Sequence, residues 1–202
     1  MNLHFWDKIP WGLLPSSAKV DITLLLLGIK PSLRLILQSS LAYLSLKEIL
    51  TTHRVAYYQD ALYVAPNLTL LSQLIQTDNH LMPHEIKLGQ LLGYPLCCCQ
   101  HTAEIGEQNI DVYNRAYSAN CRLNSLLDIS LYENGISLIS HVPCHNKCLF
   151  SLHQARSFYK KLKSSQGSPQ FNEWRNRLLD YYTPAFKESI DPSKEEKKES
   201  LK

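Results

Sequence analysis

The chain has 202 residues, 45% of them hydrophobic and 19% charged, with a formal net charge of +3. That length can bury a real core, as one domain or two closely packed lobes, and so small a charge excludes any nucleic-acid or membrane-surface argument built on electrostatics alone. The first residues lack a basic segment followed by an apolar run and a small-residue cleavage site, and the most apolar run, Ile22 to Ile29, falls far short of the ~20 residues needed to span a bilayer. The reading is a cytoplasmic protein with no membrane span.

The opening, with Trp6, Trp11, Pro10 and Pro15, reads as irregular chain whose aromatics pack on a neighbour. From Val20 to Leu24 apolar and polar residues alternate, which predicts a strand running into the leucines and stopping at Gly28. Pro31-Ser32 starts a predicted helix to about Thr51, with Leu33, Leu37, Leu41 and Leu44 at helical spacing. Arg54 to Tyr58 and Ala61 to Ala65 flank Gln59-Asp60 as a β-hairpin without glycine in its turn. Asn67 caps a helix from Leu68 to about Gln76.

In the second half, Pro83 begins a predicted helix that Gly93 ends after Leu92, and Pro95 begins another past Glu104 to about Tyr117. Gly106 weakens that helix and allows a break there. Cys121 to Leu127 can hold a turn of helix. Ile129 to Tyr132 and Ile136 to Ser140, around Asn134-Gly135, carry the strongest hairpin signal in the chain. Pro143 then opens a predicted helix to about Ser164, and Phe171 to Tyr182 a last one. Past Pro184 the apolar content collapses into Lys-Glu sequence that should be solvated and mobile. The fold class is α+β: a small mixed lobe over 1–82, a mainly helical cysteine-bearing lobe with one hairpin over 83–183, and a disordered charged tail over 184–202.

Five of the six cysteines lie in two runs, Gly93-Tyr94-Pro95-Leu96-Cys97-Cys98-Cys99 and His141-Val142-Pro143-Cys144-His145-Asn146-Lys147-Cys148. Each run sets a proline just before cysteine at a predicted helix start, where free amides and the positive end of the macrodipole favour thiolates. A reducing compartment disfavours structural disulfides and leaves metal binding or thiol chemistry as the better explanations. A secreted domain with three disulfides is the competing reading of six cysteines, and the missing export signal counts against it. Cys144 and Cys148, four apart, would share one helix face. Cys97 and Cys98 diverge by about 100° on a helix and reach one ion only if the first turn is distorted or if they sit just before it. Bringing the runs together assembles Cys97, Cys98, Cys144 and Cys148, with His141, His145 and His101 as candidates to replace or support one of them. Such a set suits tetrahedral zinc or an iron-sulfur cluster. Cys99 and Cys121 are assigned to the core. A radical S-adenosylmethionine loop is set aside, because Ser151 stands where its third cysteine would be.

These two runs, from Leu92 to Cys98 and from Leu138 to Ser151, resemble an archaeal and bacterial family catalogued as a domain of unknown function. Its pattern is a Gly-Tyr-Pro-x-Cys-Cys element followed later by His-x-Pro-Cys-x-x-x-Cys-x-x-Ser. The resemblance covers roughly residues 88 to 155 and implies that Cys97, Cys98, His141, Cys144, Cys148 and Ser151 belong together. Thr102 stands where that pattern has an aromatic. The resemblance implies no reaction.

Three functions compete. The first is a metal-binding protein in which Cys97, Cys98, Cys144 and Cys148, with His141 near, hold zinc or an iron-sulfur cluster in a structural or catalytic role. The second is a thiol enzyme without metal, with Cys144 as nucleophile, His141 or His145 as base and Cys148 or Cys97 as resolving thiol. The third is a zinc-stabilised interaction or nucleic-acid module, disfavoured by the absence of a concentrated basic face. A small molecule or another protein is the partner class left open.

Overall fold

A computed structural model of the chain describes residues 8–36, 40–80, 84–120 and 125–190. Its elements in order are α1 (Ser16–Leu26), β1 (Leu33–Ile36), α2 (Ser40–Ile49), β2 (Arg54–Tyr58), β3 (Ala61–Ala65), α3 (Leu68–Asp78), α4 (Glu85–Leu91), α5 (Leu96–Ile105), α6 (Ile110–Asn120), α7 (Leu149–Lys163) and α8 (Pro169–Ile190), with short 3-10 turns at Glu107–Asn109 and Tyr132–Asn134. The fold is α+β and mainly helical, and its strands form one antiparallel sheet in the order β1-β3-β2. Among the described residues no helix is long and apolar enough to cross a membrane.

β3 is the centre of the sheet and is buried along its whole length. Side chains alternate across a strand, so its two faces feed different clusters. Leu62 and Val64 enter the main core with residues of α1, α7 and α8. Ala61, Tyr63 and Ala65 meet Leu71, Leu74 and Leu92 on the other side. The main core draws on residues from Ile9 to Tyr182, and Trp11 closes it by packing on Trp174 and Phe171, with ring centroids 5.8 and 5.5 Å away. The β2–β3 hairpin follows the sequence expectation. Gln59 and Asp60 both take positive φ, 47° and 64°, as a tight two-residue turn requires even without glycine. Asn67 caps α3 as expected, its side chain accepting from the Leu70 amide at 2.9 Å.

Several expectations are corrected. The Val20–Leu24 segment is helix α1, not strand, because the residues that looked like a wet face are buried and satisfied locally. Thr23 donates its hydroxyl to the Lys19 carbonyl at 2.6 Å, and Asp21 is 4% exposed and receives Lys30 Nζ at 2.5 Å. The helix expected from Pro31 to Thr51 is divided. Leu33 to Ile36 alternate buried and exposed as β1 against β3, α2 starts at Ser40, and Leu37 lies outside the described residues. The helix from Pro95 stops at Ile105, where Gly106 takes φ 79°, and α6 resumes at Ile110. Pro83, Cys121 and the residues beyond Ile190 lie outside the described residues.

The expected hairpin at 129–140 does not form either. Gly135 takes φ 74° but Asn134 does not, so the pair closes a 3-10 turn in which the Gly135 amide donates to the Tyr132 carbonyl at 2.8 Å. Ser137, Leu138 and Ile139 are all buried rather than alternating, and the Gly135 carbonyl accepts from Trp174 Nε1 at 2.8 Å. The final helix runs past Pro184 to Ile190. Its continuation is held by tertiary contacts: Phe186 stacks on Tyr159 at 4.1 Å, and Tyr159 and Thr183 share a hydroxyl hydrogen bond of 2.8 Å. These offset the backbone bond that proline removes.

Lys30 and Asp21 form an ion pair inside the core, joined by the Tyr132 hydroxyl, which donates to Asp21. Burial alone would push the Lys30 ammonium down, but Asp21 and Tyr94 hold it above its ordinary value. Removing one partner of such a pair leaves an uncompensated buried charge. Asp21→Asn should therefore lower the unfolding free energy by about 3–5 kcal/mol in denaturant titration, and the double variant Asp21→Asn, Lys30→Met should recover most of that loss.

Candidate metal centre

The first half of the site is a turn that only glycine can make. At the end of α4, Gly93 adopts φ 82°, and a Cβ there would lie 2.3 Å from Pro31 Cδ. The Tyr94 amide returns to the Gly89 carbonyl at 2.9 Å and the Gly93 amide to that of Gln90 at 3.0 Å, which closes the helix end. From the far side of the site, Gln154 of α7 donates its side-chain amide to the Gly93 carbonyl at 2.7 Å. Pro95 then sits at the N-cap of α5, which places Cys97 and Cys98 in its first turn.

The second half departs from expectation. The helix expected from Pro143 begins only at Leu149, with Cys148 at its N-cap in a non-helical conformation (φ −57°, ψ 110°). Side chains outbid helix formation in this stretch. Tyr113 of α6 shares its hydroxyl between the Pro143 and Cys144 carbonyls, both at 3.2 Å, and His145 Nδ1 accepts from the Lys147 amide at 3.2 Å. Cys144 is therefore a loop residue, not the first turn of a helix that carries Cys148.

The two halves meet. Sγ of Cys97, Cys98, Cys144 and Cys148 all lie within 4.8 Å of one another. Cys148 Sγ is 3.6 Å from Cys97 Sγ and 3.7 Å from Cys98 Sγ, and the adjacent Cys97 and Cys98 sulfurs are 3.9 Å apart. Such a group of sulfurs can hold a metal ion. Cys98 and Cys148 are buried, Cys97 and Cys144 half-buried, and none is in a disulfide. Cys99 points away from this group, is buried against Gly89 and donates to the Tyr94 carbonyl at 3.7 Å, in keeping with a core role.

His141 stands one residue behind the sulfurs. Its Nε2 is 2.8 Å from Ser151 Oγ, and Ser151 Oγ is 3.3 Å from Cys148 Sγ and 3.4 Å from Cys98 Sγ. Its ring packs on Tyr94 at 5.2 Å, and Lys30 Nζ lies 4.8 Å from the centre of the same tyrosine ring. Burial, reinforced by the Lys30 charge, lowers the His141 pKa to about 3, so the imidazole is neutral at physiological pH. His101 packs edge-on against Tyr113 at 4.9 Å, and His145 is exposed and turned to its own loop; neither joins the four sulfurs. The supporting residues Lys30, Tyr113 and Gln154 gave no signal in the sequence, since each is an ordinary residue placed by the tertiary fold. Tyr94 and Ser151 were visible within the two cysteine runs.

The thiols differ sharply in acidity. Burial pushes Cys144 up to about 11, helped by its contacts with Cys148 and Cys97, and burial likewise raises Cys98 and takes Cys99 to about 11. Burial would raise Cys148 too. Hydrogen bonds from the Ser151 hydroxyl and amide and from the Cys97 and Cys98 thiols outweigh it and bring Cys148 down to about 7.

Two outcomes follow from this geometry. Gly93→Ala combines a left-handed φ with a collision at Pro31, and should lower the unfolding free energy in urea by about 2–5 kcal/mol. In metal-free protein the thiolate ultraviolet absorbance should rise first near pH 7 by one thiol, a step that Cys148→Ser abolishes, while Cys144 ionises only near pH 11. Comparison with protein-family models, curated proteins and solved structures returned no match to this chain, so the chemistry of the site is argued from its own atoms.

Proposed function

We propose that Cys97, Cys98, Cys144 and Cys148 hold one tetrahedral zinc ion in a cytoplasmic protein, and that the ion clamps the Gly93–Cys98 turn to the His141–Cys148 loop. The observation that carries this reading is the spacing of the sulfurs. With Zn–S bonds of about 2.3 Å, a regular tetrahedron has sulfurs about 3.8 Å apart, and three of the pairs here stand at 3.6, 3.7 and 3.9 Å. An iron-sulfur cluster distributes its thiolates over two or four irons and needs a wider frame than a group within 4.8 Å. A lone iron would accept the same four sulfurs, and elemental analysis distinguishes it from zinc.

Four protein sulfurs leave no open position for substrate or water, which favours a structural over a hydrolytic role for the ion. The helix N-termini of α5 and α7 both point toward the group and partly offset its negative charge. Ser151 supplies a hydroxyl to the sulfur of Cys148, the kind of outer contact that tunes a ligand. A metal-free enzyme with Cys144 as nucleophile draws less support, because burial raises that thiol to about 11.

Protein made in medium replete in zinc and iron should contain one zinc per chain. Cobalt substitution should give the intense visible bands of a tetrahedral thiolate site, and strong chelators should lower the melting temperature as they remove the ion. Ser151→Ala should weaken zinc binding by about 10–100-fold. Metal-free protein with six titratable thiols and a melting temperature indifferent to chelator would overturn the reading.

A further inference from the structure

A cavity of about 480 Å³ lies against the cysteine group, with Cys98 and His141 in its lining. Its inner wall is formed by Leu92, Tyr94, Ile110 and Val142. That size suits a small organic molecule, and Thr77, His80, His84, Glu85 and Thr102 add polar groups to the lining. Arg34 and Asp78 at the rim are already joined at 2.5 Å, so they add little net charge.

One polar group of this wall, on His141, is an acceptor, and the metal site makes it one. A thiolate held by a metal ion carries no proton and can only accept, so the Ser151 hydroxyl hydrogen turns toward sulfur. The Ser151 oxygen then has lone pairs to offer His141 Nε2, 2.8 Å away, and Nε2 must carry the imidazole hydrogen. Nδ1 is left with its lone pair. It makes no hydrogen bond among the described residues, and His141 lines the cavity.

We propose that this cavity binds a small, uncharged aromatic molecule bearing one O–H or N–H group, which it donates to His141 Nδ1 while its ring lies against Tyr94. A carboxylate would set lone pair against lone pair at Nδ1. A cation stacked on Tyr94 would also lie near the Lys30 ammonium, which is 4.8 Å from the centre of that ring and paired with Asp21. The orientation of the proton chain rests on the metal reading above, since protonated thiols would leave the Ser151 hydroxyl free to turn.

The test uses the full chain, with its metal content measured in the same sample, and three probes: phenol, anisole and benzoate. Phenol should bind saturably and about tenfold more tightly than anisole, which keeps the ring but lacks the donor, and than benzoate. His141→Phe should bring phenol and anisole within twofold of each other. Long-range proton–nitrogen spectra of the unaltered protein should show His141 as the Nε2–H tautomer whatever the fate of that variant. Equal binding of phenol and anisole to metal-loaded protein, no saturable binding of either, or an Nδ1–H tautomer would each overturn the cavity proposal alone. Protein without metal would instead strike at the zinc reading.

Discussion

Charge crowding is the constraint on which the site turns. Two thiolates about 4 Å apart repel by on the order of 4 kcal/mol at an effective dielectric constant near 20, equivalent to about three pKa units. A set of sulfurs as close as Cys97, Cys98, Cys144 and Cys148 cannot all ionise unaided. Burial and hydrogen bonding already spread the four thiols apart, with burial taking Cys144 up to about 11 and hydrogen bonds bringing Cys148 down to about 7. A divalent cation at the centre reverses the sign of the problem, because every thiolate is then attracted to the middle.

The rest of the molecule reads as a frame for that crowding. Gly93 and Pro31 define one turn, Tyr113 clips the loop that carries Cys144, and Gln154 bridges from α7 back to the first turn. Behind them the Asp21–Lys30 pair sits at the foot of Tyr94, which in turn backs His141. A buried ion pair of this kind contributes little net stability over an apolar pair of the same shape. Its value lies in position, since it fixes the polar groups behind the site in one arrangement.

How much of this was legible in the residues depends on the range of the forces involved. The β2–β3 hairpin and the Asn67 cap follow from short-range chemistry, and the two cysteine runs, though some fifty residues apart, announce a shared site by their residue types. α1 was not legible, because a strand-like alternation was produced by Asp21 and Thr23, whose partners are a carbonyl one turn back and a lysine nine residues on. The chain from 141 to 148 was read as helix because nothing local reveals that Tyr113 will take its carbonyls. Pro184 looked like an ending, and the stacking of Phe186 on Tyr159 explains why it is not. In the last two cases the missing information was a contact made by a residue distant in the sequence.

Trp11 against Trp174 and Phe171 carries a consequence for biogenesis. This aromatic cluster cannot close until residues near 174 have left the ribosome. At synthesis rates of about 5–20 residues per second, the leucines of α1 spend many seconds with their partners not yet made.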